Sequence, residues 1–182
     1  MSPYTFGMLA AGWLVWMIPF FLIKRGGSAA QTLDRRARWG IVIQALAYMI
    51  VWQPAFWMRS IPAWRIPFAA IFLVLGPVLS WTSARTLGRQ WRFDAGLNAE
   101  HQLVRSGAYR FIRHPIYTSM LCMLLGTGLL TTRWMFLIVS VGLFLVGAEI
   151  RIRIEDALLA SRFGDEFRDY QRKVPAYVPF VR

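Results

Sequence analysis

Arg113-His114-Pro115-Ile116-Tyr117 opens an uncharged run that lasts to Thr132, and after Arg133 a second run, Trp134–Ala148, goes 15 residues without a charge before Glu149, Arg151 and Glu155. Apolar runs of helix length with narrow ionic borders are the pattern of a membrane helix bundle, because crossing ~30 Å of hydrocarbon at ~1.5 Å per residue takes roughly 20 apolar residues. Working outward from this pair, three earlier stretches also qualify as spans: Met1–Ile23, Trp39–Met58 and Ile66–Ala84. Trp134–Ala148 is the short one. It covers roughly 22 Å at the helical rise, so a full crossing carries Glu149, Arg151 and Arg153 to the headgroup level. Composition agrees, since 57% of the 182 residues are hydrophobic and only 16% charged. The mean hydropathy is +0.42. The expected fold class is all-α: a polytopic membrane helical bundle with about five transmembrane helices and a C-terminal amphipathic cytosolic helix.

Lys and Arg are unevenly placed. Lys24–Arg38, Arg85–Arg113 and Arg151–Arg182 hold 5, 6 and 7 of them, and the opposite side has only Arg59, Arg65 and Arg133. The positive-inside rule then puts the N-terminus outside and the C-terminus in the cytosol. The formal net charge of +12 lies beside apolar spans and shows no interleaved recognition pattern. It points to membrane lipid headgroups as partner and away from nucleic acid. Met1–Ile23 lacks a basic leader and is too long for a signal-peptide core, so it reads as a retained span. The chain has 19 Arg against 2 Lys, which suggests a GC-rich genome and a bacterial inner membrane. Cys122 can form no intramolecular disulfide, and one cysteine with two histidines makes no plausible metal site. With no internal repeat or domain-sized linker, residues 1–182 read as a single membrane domain, 1–84 a three-span scaffold and 85–182 the half that carries the chemistry.

That second half contains a polar segment of about 30 residues, Arg85–His114, too long for a simple connection between bundle helices. Pro115 suits a first helical position, which places His114 beside a helix N-terminus. Leu159, Phe163, Phe167 and Tyr170 recur at helical spacing, so Arg151–Arg172 reads as an amphipathic helix on the membrane surface, weakened at Gly164. Pro175 and Pro179 force Val174–Phe180 into extended backbone, expected to fold over the cytosolic face. Arg151 and Glu155 lie one helical turn apart on one face. They form either an ordinary ion pair or a ligand site. Arg110 and Arg113 are open between headgroup anchors and site residues.

The string Gly107-Ala108-Tyr109-Arg110-Phe111-Ile112-Arg113-His114-Pro115-Ile116-Tyr117 resembles the G-x-Y-x-x-x-R-H-P-x-Y signature of the isoprenylcysteine carboxyl methyltransferase family. Arg151 through Glu155, Phe163-Gly164, Tyr170 and Val174-Pro175 through Pro179-Phe180 are similar to the same family's C-terminal block. The resemblance covers roughly residues 91–182. It implies an integral membrane methyltransferase using S-adenosyl-L-methionine, whose cytosol-facing site is built from the last two spans. On the matching positions His101, Gln102, Leu103, Val104, Tyr109, His114, Pro115, Ile116, Tyr117 and Glu155 would bind the cofactor, and Arg151 would face the methyl acceptor. The sequence departs from the pattern at Asp94, where the family carries Gln, and at Ile152-Arg153-Ile154, where it carries acidic residues.

The residues themselves suit such a ligand. A cationic sulfonium, an amino acid head and a ribose call for a carboxylate, imidazole or phenol groups and apolar walls, and Glu155, His101, His114, Tyr109 and Tyr117 supply the polar part. A guanidinium at Arg151 can hold a carboxylate through two parallel hydrogen bonds. The expected reaction is carboxyl O-methylation of an isoprenylcysteine-like or other lipophilic acceptor that enters from the bilayer. Two alternatives stay open at this point: methylation of a phospholipid amine or small molecule by the same cofactor site, and an NADPH-dependent reductase of the sterol-reductase type.

Overall fold

A computed structural model describes residues 1–22, 32–54, 56–58, 60–90, 96–97 and 102–177. Six helices account for most of it: α1 Pro3–Leu22, α2 Ala37–Val51, α3 Arg65–Leu87, α4 Pro115–Thr131, α5 Trp134–Phe163 and α6 Asp165–Lys173. A two-residue antiparallel ladder pairs Thr32–Leu33 with Gly96–Leu97. By length and composition α1, the α2 region, α3 and α5 are long and apolar enough to cross a membrane, with α4 as a shorter apolar helix. The all-α polytopic reading holds.

Two boundaries differ from expectation for identifiable reasons. Helix α2 stops at Val51, and the chain then makes a 3-10 turn at Phe56–Met58. Pro54 disfavours helical backbone in the residue before it and removes a donor. At the other end, the fifth span does not finish at Ala148 with a separate surface helix from Arg151. Helix α5 runs unbroken for 30 residues to Phe163, about 45 Å at the helical rise. Between Ala148 and Phe163 there is no Gly or Pro to interrupt it. The break comes at Gly164, which takes φ +54, a conformation that costs glycine little. Only the nine residues of α6 form an independent amphipathic helix. The apolar half of α5 therefore continues rigidly into the polar half, holding Arg151, Glu155 and Asp156 at the border.

Helix α4 is the centre of the bundle. It packs along α3 and also meets α1, α2 and α5. Leu124, Met123, Gly126, Thr127 and Leu130 are among its buried residues. The outer helices turn Leu14, Phe21, Met49, Val74 and Ile138 outwards, all well exposed, as lipid contact requires. Because lipid tails are as apolar as leucine, helix association inside a membrane relies on close packing and interhelical hydrogen bonds. Both are present around α4. The Trp13 indole donates to Thr127 Oγ1 at 3.0 Å and the Trp16 indole to Ser119 Oγ at 3.2 Å. The Tyr48 hydroxyl donates to the Met120 carbonyl at 2.6 Å, and Thr131 Oγ1 to the Val51 carbonyl at 2.7 Å.

Helices α2 and α5 come closest at two glycines. A Cβ on Gly40 would lie 2.5 Å from Arg151 Cγ and 2.6 Å from the Gly147 carbonyl oxygen, and one on Gly147 would lie 2.7 Å from the Gly40 oxygen. The stem of Arg151 therefore lies directly on the α2 backbone. Substituting Gly40→Ala or Gly147→Ala should force the two helices apart and cost ~1–3 kcal/mol, whereas Gly142→Ala, with nothing within 4 Å, should leave stability at or above wild type. Thermal unfolding of the three variants in detergent checks this; equal midpoints for all three would contradict the contact.

Candidate functional site

The N-terminal end of α4 and the polar half of α5 meet in a cluster of five ionisable side chains, closed by the chain that follows α6. His114 precedes Pro115 at the helix start with φ −125 and ψ 61. The Arg113 and His114 backbone N–H groups donate to the carbonyls of Pro175 at 2.9 Å and Ala176 at 2.7 Å. Arg113 Nε donates to the Val174 carbonyl at 2.9 Å, and Thr118 Oγ1 to the Tyr177 carbonyl at 2.5 Å. Residues 174–177 thus form a strap pinned across the start of α4, in the place expected for the fold-back of the segment. The rest of the expected extended segment, residues 178–180 with Pro179, lies outside the described residues.

Asp156 sits at the centre. It receives Arg113 Nη1 at 2.5 Å, His114 Nε2 at 2.9 Å and Gln171 Nε2 at 3.1 Å. The Arg113 and Asp156 side chains are 2% and 8% exposed. Arg113 is therefore an interior ion-pair partner and no headgroup anchor, while Arg110 is exposed and stacks on Phe111 at 5.9 Å. Asp156 was invisible as a site residue in the sequence. The one available signal was adjacency: two basic residues in register at 113 and 114, and two acidic ones at 155 and 156.

Glu155 differs from its neighbour in what it leaves open. It accepts the Tyr117 hydroxyl, faces His114 Nδ1 at 3.4 Å and Arg151 Nη2 at 3.8 Å, and its side chain is 24% exposed. Asp156 is saturated and enclosed. Glu155, with two long ion pairs and accessible surface, retains acceptor capacity for a ligand. The Arg151 guanidinium lies over the Tyr117 ring at 5.0 Å, and the His114 and Tyr117 rings are 5.8 Å apart. Both ring nitrogens of His114 face carboxylates, and only the imidazolium can donate from both. Burial works to lower its pKa, but the hydrogen bonds and charges of Asp156 and Glu155 outweigh that and raise it above the ordinary imidazole value.

The other expected site residues are spread more widely. Tyr109 belongs with the cluster: it is buried, its carbonyl accepts the Tyr170 hydroxyl, and burial followed by the charge of Glu155 pushes its phenol well above the usual range. Pro115 is buried at the first position of α4, while Ile116 packs towards Phe20 and Ala84 of α1 and α3. Gln102 is exposed and tied by its backbone N–H to the Gln90 side chain at 2.8 Å, with Leu103 and Val104 half-buried beside it. His101 and Asp94 lie outside the described residues. Among the described residues no group of three or more His, Cys, Asp and Glu is placed to hold a metal ion.

A model of the phospholipid methyltransferase family matches residues 64–166. The protein-S-isoprenylcysteine O-methyltransferase of Schizosaccharomyces pombe is 33% identical over 113 residues, 60% of this chain and 48% of that protein. Protein-S-isoprenylcysteine O-methyltransferase B of Arabidopsis thaliana is 32% identical over 121 residues, 65% of this chain and 61% of that protein. The cobalt-zinc-cadmium resistance protein CzcN of Cupriavidus metallidurans is 31% identical over 150 residues, 81% of this chain and 65% of that protein. The matched part of the chain spans between about half and just under two thirds of these relatives.

Two outcomes test the cluster itself. Asp156→Leu leaves Arg113 buried without a counter-charge and should cost ~3–5 kcal/mol, whereas Arg113→Leu combined with Asp156→Leu should cost less than the two single changes added together. Denaturation in detergent measures the cycle, and additive losses would mean the pair is uncoupled. A raised His114 pKa also means that its contribution is complete below ~6.5 and is lost as pH rises through the folded value. The melting temperature should fall on the alkaline side, and ¹⁵N-histidine NMR should give His114 a pKa above ~6.5; a value at or below that would contradict the double-donor geometry.

Proposed function

We propose that this chain, which belongs to the phospholipid methyltransferase family, is a multi-pass membrane methyltransferase that uses S-adenosyl-L-methionine to methylate the carboxylate of a lipophilic, isoprenylcysteine-like acceptor. The observation that carries the reading is the division of labour between the two adjacent carboxylates, Asp156 saturated by Arg113, His114 and Gln171 and Glu155 partly open beside Arg151. The donor set fits a cationic, hydroxyl-rich methyl donor: Glu155 as carboxylate, Tyr117, Tyr109 and His114 as phenols and imidazole. His101, Gln102, Leu103, Val104, Pro115 and Ile116 complete the proposed pocket. S-adenosyl-L-methionine bound there would supply an electrophilic methyl carbon, to which a carboxylate oxygen bonds as the carbon–sulfur bond breaks, with no proton to move.

Arg151 is the residue proposed to meet the acceptor. Its stem rests on Gly40 and its guanidinium on Tyr117, which restrict its position before any ligand arrives, and positioning is most of what such a displacement needs. Three cationic side chains, Arg113, His114 and Arg151, face two carboxylates in this cluster. That excess favours an anionic acceptor over the ammonium head of an amine, which would also need a base to take its proton. The family match supports methyl transfer in preference to the nicotinamide-dependent alternative. An isoprenylcysteine acceptor is what the names of the Schizosaccharomyces pombe and Arabidopsis thaliana relatives suggest, and its apolar chain would enter from the bilayer. The 18 to 3 distribution of basic residues supports a cytosolic site and an external N-terminus, and the use of 19 Arg against 2 Lys supports a bacterial inner membrane. Residues 1–182 would then act as one unit, with 1–84 shaping the site from behind.

In detergent, tritiated methyl from S-adenosyl-L-methionine should enter a prenylcysteine acceptor as a base-labile ester. Glu155→Ala should abolish S-adenosylhomocysteine binding in titration calorimetry. Arg151→Ala should keep that binding and lose about 100-fold or more in kcat/KM. Normal turnover in the second variant would remove Arg151 from the acceptor site, and binding of NADPH without S-adenosylhomocysteine would overturn the whole reading.

A further inference from the structure

We infer that Arg65, at the end of the bundle away from the candidate active site, is the centre of a second binding site, which takes the phosphate of an anionic membrane phospholipid whose acyl chain lies along α3. Arg65 is half-buried. Its Nη1 donates to the Thr132 carbonyl at 2.9 Å, and its guanidinium lies over the Trp64 ring at 5.5 Å. Thr132 caps the far end of α4, which is 17 residues long. That is about 25 Å of helix from His114, so the two sites are separate.

What this end of the molecule lacks is a carboxylate. The sequence has no Asp or Glu among residues 1–33, 35–93 or 101–148, a span that takes in the whole of α1, α2, α3 and α4. The segments that meet at Arg65 therefore carry no counter-charge, while Arg133 adds a second, exposed arginine next to Thr132. The bond to Thr132 uses one of the five donors of a guanidinium. Among the described residues, Arg65 Nε and Thr132 Oγ1 are buried with no hydrogen-bond partner. A cation held partly out of water without an anion is costly. The start of α3 does not itself supply the site, because the Arg65 and Ile66 N–H groups already donate to the carbonyls of Pro62 and Ala63, and Pro67 has none. The guanidinium carries it.

The apolar surroundings say what kind of anion suits it. From Trp64 onward, exposed residues of α3 recur at Phe68, Ile71, Leu75 and Val78, steps of four, three, four and three that make one stripe along the helix. Arg65 stands one turn above Phe68 at the head of that stripe. Trp64 and Trp134, both exposed, are of the residue type that settles at headgroup depth. A lipid with its phosphate on Arg65 lays a chain along a stripe that already faces hydrocarbon, whereas a free phosphate gains nothing from it. The planar guanidinium matches the paired oxygens of a phosphodiester. An ammonium headgroup finds no carboxylate here, so the ligand class is the anionic phospholipid in preference to the zwitterionic amine.

The test is native mass spectrometry of the delipidated protein in detergent, titrated with dioleoylphosphatidylglycerol, dioleoylphosphatidylethanolamine, dioleoylglycerol and inorganic phosphate. The wild type should retain one phosphatidylglycerol, hold the ethanolamine lipid more weakly and dioleoylglycerol about tenfold more weakly or worse, and keep its lipid when inorganic phosphate is added. Arg65→Gln should weaken phosphatidylglycerol binding by about tenfold or more. Arg133→Gln, which removes an equal charge but not the Thr132 bond, should weaken it much less. Arg65→Lys keeps the charge and loses the fork; it should also bind more weakly than wild type, and it decides the matter if the Gln variant does not fold. Equal losses in the Arg65 and Arg133 variants would reduce the effect to surface charge and overturn the assignment. So would equal retention of phosphatidylglycerol and either other lipid, or its displacement by inorganic phosphate.

Discussion

The buried pair between Arg113 and Asp156 is the constraint on which the rest of the site depends. An ion pair this enclosed is costly to desolvate, and it becomes tolerable only when the remaining hydrogen-bonding capacity is used. Here it is used almost completely: Arg113 also donates to the strap carbonyl of Val174, and Asp156 also accepts from His114 and Gln171. One carboxylate thereby ties together the start of α4, the polar half of α5, helix α6 and the strap. The start of α4 is brought to three later segments of the chain by a carboxylate enclosed within the fold.

This arrangement separates an enclosed carboxylate from a partly open one. Because Asp156 meets the structural demand, Glu155 beside it can remain partly open, and because Tyr117 donates to Glu155 and carries Arg151 on its ring, the open carboxylate and the guanidinium are positioned by the same phenol. Helix α2 contributes from the other side through a missing side chain. With no Cβ at Gly40, the Arg151 stem lies against backbone, so a helix that looked like scaffold determines how far the guanidinium can withdraw. The tight glycine contact and the interhelical hydrogen bonds around α4 are the means by which apolar helices hold position where no hydrophobic force acts between them.

Much of the fold was legible. Apolar run length identifies the spans because hydrocarbon thickness is a fixed quantity, and the limits of α1, α3 and α4 follow the charges and prolines closely. The boundaries that differed were those decided by local backbone chemistry. Pro54 shortened α2, and the absence of any breaker before Gly164 lengthened α5 through what looked like a change of environment. Of the residues the structure brings together, His114, Tyr117, Arg151 and Glu155 were already candidates in the sequence, since motif and helical spacing both bear on them. Arg113 was left undecided, and Asp156, Gln171 and Gly40 were not singled out. Nothing local marks them, for each matters only through a partner at least 15 positions away.

By itself the sequence determined that this is a multi-pass helical membrane protein, where its ionic borders fall, and which family signature opens α4, because hydropathy, helical period and proline chemistry act over a few residues and need no knowledge of neighbours. Only the tertiary structure decided which of two adjacent carboxylates is enclosed and which is open. It likewise decided that Arg113 points inward and that Gln44 is buried. Those are questions of desolvation and pairing, and their answers depend on which distant groups the packed helices bring within hydrogen-bonding distance.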